Sequence, residues 1–122
     1  MKRNKILVVE DNAPNRALAQ DVLVHRGHEV VTACDLEEAK AHLVDARLGL
    51  VLTDVHLPGG GGEALLRKIR GEHSLKGVRV VAVTALAMAE DRQRLLGLGF
   101  DGYISKPIDI RSFVQKVESF IS

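Results

Sequence analysis

Five short apolar runs, each followed by a segment with helical spacing of apolar side chains, alternate along the 122-residue chain. No other feature constrains the fold as strongly. The runs are Ile6–Val9, Val30–Ala33, Leu48–Thr53, Val78–Thr84 and Gly102–Ile104. The first, third and fourth are continuously apolar rather than alternating, the pattern of parallel strands covered on both faces. Between and after them lie stripes at helical spacing: Leu18, Val22 and Leu23; Leu36, Ala39, Leu43 and Val44; Leu65, Leu66 and Ile69; Leu95 and Leu96; and Ile110, Phe113, Val114, Val117 and Ile121. Asp35 followed by Glu38 predicts a capping box at the start of the second helix, and Gly97 with Gly99 predicts the end of the fourth. Parallel strands need right-handed crossovers, so the expected architecture is α/β: five strands in one sheet, flanked by five helices in a three-layer sandwich. Residues 1–122 read as a single domain, without linker or low-complexity segment.

Composition narrows the function classes. The formal net charge is +1, with Lys and Arg interleaved among Asp and Glu. Such a surface offers no basic stripe for nucleic acid or an anionic membrane. Cys34 has no second cysteine to pair with, and reads as an inert thiol in a reducing compartment. The basic Met1–Lys5 segment precedes an apolar run that stops at Glu10, too short for a signal peptide. No later run approaches the ~18 residues of a membrane span. A cytoplasmic protein is expected. Of the five histidines, His25 and His28 flank Gly27 and read as surface residues rather than a zinc site.

The chemistry collects at the strand ends. In an open parallel sheet, ligands bind beyond the carboxyl ends of the strands. Those ends carry Glu10-Asp11, Asp54, Thr84 and Ser105-Lys106-Pro107. Taken alone, Glu10-Asp11 reads as a solvated turn, Thr84 as a strand terminus and Tyr103 as half-buried core. Their joint placement on one rim is the specific signal. Two carboxylates about 4 Å apart repel by roughly 4 kcal/mol at an effective dielectric near 20, and Lys106 supplies a single compensating charge. All-oxygen donors of this kind suit Mg²⁺, or Mn²⁺ in its place, shared with a phosphate. Asp54 is then a nucleophile for a phosphoryl group, and Lys106 neutralises its oxygens.

Val8-Val-Glu-Asp-Asn12, Leu52-Thr-Asp54-Val-His-Leu-Pro58 with Gly62 beyond it, Val83-Thr84-Ala85 and Tyr103-Ile-Ser-Lys106-Pro107 stand in order along the chain. Together they resemble the receiver domain of two-component response regulators over essentially the whole length. Glu10-Asp-Asn with Asn15-Arg16, and Thr84-Ala-Leu-Ala-Met88, are most similar to stand-alone cell-fate regulators and to receivers of hybrid histidine kinases. The resemblance implies a flavodoxin-like, doubly wound sheet of order 2-1-3-4-5. It implies a phosphoprotein with an aspartyl phosphate on Asp54. Mg²⁺ would be held by Asp11, Asp54 and the backbone carbonyl of His56, and by Glu10 through water. Lys106 would pair with the phosphoryl oxygens, ahead of a cis bond to Pro107, and Thr84 would donate its hydroxyl. Small Ala85 would leave the donor room. Movement of Thr84 would let Tyr103 rotate inward and reshape the face of the fourth helix, fifth strand and fifth helix, where a downstream protein docks. Phosphodonors would be a histidine kinase or a histidine phosphotransfer protein, docking on the first helix around Asn15, Arg16 and Ala19 and on the loop after Lys106. Such a domain is regulatory rather than an enzyme, with self-catalysed phosphorylation and slow self-dephosphorylation, and monomeric when unphosphorylated.

His56 and Leu86 occupy the flanking positions that vary in the family and tune phosphoryl lifetime. An apolar Leu86 cannot orient a water, which predicts slow decay. The run Gly59–Gly62 departs from the family pattern. No lysine motif of the P-loop kind follows it, and so many glycines predict a loose loop without a helix cap. Three other readings compete. A receiver excised from a hybrid kinase would carry the same motifs, although Met1 and a terminus at the fifth helix favour a free-standing domain. A hydrolase of the haloacid dehalogenase type needs a second acid where His56 stands, and a cap domain. A pseudo-receiver would lack the intact set Asp11, Asp54, Thr84 and Lys106.

Overall fold

The computed structural model describes residues 4–57, 61–85 and 89–121. The elements alternate as expected: β1 (Lys5–Val9), α1 (Ala13–His25), β2 (Glu29–Ala33), α2 (Leu36–His42), β3 (Leu48–Asp54), α3 (Gly61–Arg70), β4 (Arg79–Thr84), α4 (Ala89–Leu98), β5 (Gly102–Ser105) and α5 (Ile110–Ile121). A 3₁₀ turn at His73–Leu75, which the sequence pattern did not reveal, leads into β4. The strands form one sheet in the order β2-β1-β3-β4-β5, and every neighbouring pair is parallel. The chain thus winds outward from β1 in both directions. The switch of direction lies between β1 and β3, and the crevice above their carboxyl ends is where a sheet of this kind binds ligands.

The continuous apolar runs serve two cores at once, because successive strand residues point to opposite faces. Leu7, Val9, Val51, Val80 and Ala82 pack with Leu36, Ala39, Leu65, Leu66, Ile69 and Leu95 on one face. Ile6, Val8, Leu50, Leu52, Val81 and Val83 pack with Ala19, Leu23, Phe113 and Val117 on the other. Both faces are therefore dry, which explains the absence of an alternating polar pattern.

Local signals set the helix ends. Asn12 caps α1 by accepting from the Asn15 backbone N–H at 2.9 Å, with Pro14 in the first turn. Asp35 caps α2 by accepting from the Glu38 N–H at 2.9 Å. The reciprocal half of the box differs from expectation. Glu38 accepts from the backbone N–H of Cys34 at 2.7 Å, one residue before the cap. That carboxylate also pushes the Cys34 thiol above its ordinary value. Gly99 alone closes α4, in the left-handed conformation at φ 114°, whereas Gly97 lies inside the helix.

Some stripe positions turn outward. Val44 is 88 % exposed because α2 stops at His42 and the chain leaves the helical path. Ile110 and Leu96 are also largely exposed. Among the described residues, no helix is long and apolar enough to cross a membrane.

Candidate functional site

Each strand that ends at the crevice delivers one polar group. β1 runs out at Val9, and Glu10 continues the ladder by donating its N–H to the Ala33 carbonyl at 3.0 Å. Its side chain therefore turns down into the crevice, where Glu10 is only 5 % exposed. One Glu10 oxygen, Oε1, meets Lys106 Nζ at 2.6 Å, and Oε2 accepts from the Asn12 N–H at 3.2 Å. Asp54 is the last residue of β3 and is 8 % exposed. Its Oδ2 accepts from Lys106 Nζ at 2.7 Å and its Oδ1 from the His56 N–H at 2.9 Å. Lys106 follows β5, tied to β4 by its backbone N–H on the Thr84 carbonyl at 2.8 Å. The bond from Lys106 to Pro107 is cis, as expected. Asp11 is exposed at the mouth. Ligand atoms of Glu10, Asp11 and Asp54 lie within 4.8 Å of one another.

The electrostatics are those of a crowded anionic pocket. Burial pushes the Glu10 carboxyl above the usual range, opposed by its bonds to Lys106 and Asn12 and reinforced by Asp11. Burial also works to lower Lys106, but the bonds to Asp54 and Glu10 outweigh it and hold the ammonium above its ordinary value. Three carboxylates face one ammonium within the cluster. Hard oxygen donors at this spacing, two of them more than nine-tenths buried, fit a small divalent cation such as Mg²⁺.

The remaining expected residues fall into three groups. Thr84 ends β4, 1 % exposed and opposite Ser105, with Ala85 exposed beside it. Tyr103 is half-buried against the core beneath α4. Leu86 lies outside the described residues, as do Pro58, Gly59 and Gly60. Ala19, expected on a docking surface, is 3 % exposed in the core under α1 and cannot be part of one. Asn15 and Arg16 stay accessible at the start of the same helix.

Two features escaped the sequence reading. The Arg16 guanidinium donates to the Glu10 carbonyl at 2.9 Å and so helps hold the acidic loop. The Arg92 guanidinium lies 5.4 Å from the centre of the Tyr103 ring. Its spacing of three from buried Leu95 was the available signal. One feature is corrected. Gly62 is not loose: its N–H donates to the Val55 carbonyl at 2.8 Å, and a Cβ there would stand 2.5 Å from the Asp54 carbonyl oxygen.

The strand order and the position of the acidic cluster define a flavodoxin-like, doubly wound α/β protein with its site at the switch point. The chain belongs to the response regulator receiver domain family, whose model matches residues 6–118. It is 32% identical over 116 residues to the polar-differentiation response regulator DivK of Brucella anthropi, covering 95% of this chain and 94% of that protein. The DivK of Brucella ovis is 33% identical over 120 residues, with the same coverage. Among solved structures, it is similar to the chemotaxis response regulator CheY4 of Vibrio cholerae, with TM-score 0.90, 25% identity, and coverage of 98% and 99% of the two chains. The non-phosphorylated HemR receiver domain of Leptospira biflexa matches with TM-score 0.86, 30% identity, and coverage of 97% and 94%. This is a receiver of two-component signalling, a regulatory rather than a metabolic family.

Proposed function

We propose that the chain is a phospho-acceptor module in which Asp54 takes a phosphoryl group from a phosphohistidine donor. An Asp54 carboxylate oxygen attacks phosphorus. The P–O bond forms as the P–N bond breaks, and the imidazole leaves with the electron pair and takes up a proton. Asp11, Asp54 and the His56 carbonyl would hold Mg²⁺, with Glu10 acting through water; when bound, the ion supplies charge neutralisation at the phosphoryl oxygens. Lys106 moves from its bonds to Asp54 and Glu10 onto a phosphoryl oxygen, a short path because Nζ already sits 2.7 Å from the nucleophile's carboxylate. Thr84 donates its hydroxyl from the end of β4, and small Ala85 leaves the donor a path of approach.

The observation that carries this reading is the shared contact of one partly buried lysine with two buried carboxylates at the switch point. Such an arrangement is unfavourable to build and is made comfortable by a cation and a transferred anionic group. Thr84 movement then frees space for Tyr103, and the α4-β5-α5 face changes for a downstream partner. Phosphorylation needs to bias the two arrangements by only a few kcal/mol. Donors dock at Asn15 and Arg16 and at the loop after Lys106.

Incubation with acetyl phosphate and Mg²⁺, read by intact mass, tests the chemistry. A receiver gains one phosphoryl group, and Asp54→Asn gains none. Continuous turnover would mean a hydrolase, and no gain under any donor would mean a pseudo-receiver.

A further inference from the structure

Arg92 lies on α4, three residues before Leu95, and Leu95 is fully buried against the sheet. Residues three apart share a helix face, so the Arg92 side chain leaves α4 on its sheet-facing flank. There the guanidinium stands over Tyr103, 5.4 Å from the ring centre. That lies inside the ~6 Å range of a cation–π contact. Tyr103 pairs in register with Ala82, and Thr84 lies two residues further along β4 on the same face. Ala82 is small and fully buried, so a path from the ring toward Thr84 crosses the least bulky residue of that strand.

We infer that Arg92 is the positioning residue that latches Tyr103 in its half-exposed arrangement and thereby sets how readily the switch turns. This rests on the reading of Tyr103 as the moving ring. A change of rotamer toward Thr84 carries the ring centre several ångströms, out of cation–π range of a side chain anchored on α4. The contact therefore belongs to one of the two arrangements and biases the equilibrium against the other. Its strength at a partly exposed site corresponds to about a two- to fivefold change in the population ratio. When the competent arrangement is the minor one, the whole factor appears in the apparent affinity of any ligand that requires it.

The protein carries its own reporter. Tyr103 is the sole tyrosine and there is no tryptophan, so tyrosine emission reads this ring alone. Wild type, Arg92→Ala, Arg92→Gln and Arg92→Lys are titrated with beryllium fluoride in saturating Mg²⁺, and bound fluoride is counted independently by ¹⁹F resonance. Half-saturation by beryllium fluoride should fall about two- to fivefold in the two uncharged variants and by less in Arg92→Lys. Unchanged or weaker binding in both uncharged variants, with a wild-type tyrosine signal that follows bound fluoride, overturns the latch and leaves the switch intact. A wild-type tyrosine signal that ignores bound fluoride overturns the underlying reading of Tyr103, and the latch with it.

Discussion

Replacing Gly62 with alanine adds a single methyl group, and the structure says where it goes. Gly62 is buried in the first turn of α3. A Cβ there would stand 2.5 Å from the Asp54 carbonyl oxygen and 3.1 Å from the Val55 Cα. Both neighbours are backbone, so no side chain can swing away, and the α3 turn or the end of β3 must move by more than half an ångström. Overpacking of this kind costs about 1–3 kcal/mol. With a urea slope of roughly 1.5 kcal/mol/M for a domain of this size, the unfolding midpoint should fall by about 0.7–2 M. The displaced peptide is that of Asp54, whose carboxylate is held between the His56 N–H and Lys106. A shift approaching 1 Å can slow a positioned reaction by up to about a hundredfold. Gly97→Ala is the control. It also lies inside a helix but has nothing within 4 Å of the added methyl. It should stabilise by about 0.5–1 kcal/mol and leave labelling untouched. Urea melts by far-ultraviolet circular dichroism and acetyl phosphate labelling by mass measure both effects. A Gly62→Ala protein with the wild-type midpoint and labelling rate would show that the close approach to Asp54 is not real.

Two further outcomes are expected. Lys106→Met leaves Glu10 and Asp54 buried without their shared ammonium and should destabilise by about 2–4 kcal/mol near neutral pH. Burial and Asp11 then act on Glu10 unopposed by Lys106. A carboxyl with a raised folded value binds protons more tightly when folded, so stability falls as pH rises from the ordinary glutamate value through the raised one. The urea deficit should therefore shrink at pH 5, and a larger deficit there would count against the burial argument. At position 86, two residues after Thr84 in the sequence, Leu86→Glu supplies a carboxylate base and should speed loss of label by up to about a hundredfold. An equal decay rate would remove Leu86 from any role in phosphoryl lifetime.

Much of this protein is readable along the chain because its information is local. Alternation of strand runs with helical stripes specifies a parallel sheet covered on both sides. Since such sheets gather ligands at one edge, the residues at or just after the ends of β1, β3 and β5 were enough to point to Glu10, Asp11, Asp54 and Lys106, which the fold brings together. Asn12 and Asp35 as helix caps follow from short-range hydrogen bonding. Tertiary structure decided what depends on how the layers approach. Lys106 reaches Asp54 across 52 residues of sequence, and no periodicity reveals that it touches Glu10 as well. Ala19 is equally plausible as surface or core until α1 is rotated onto the sheet, which buries it. Gly62 looks like one of four loose glycines until α3 presses against the end of β3. Arg92 looks like solvated charge until α4 lays it over Tyr103. Sequence periods record which face of an element is apolar. The angle and distance at which two faces meet are set by the side chains of both, so contacts across elements exist only in the folded molecule.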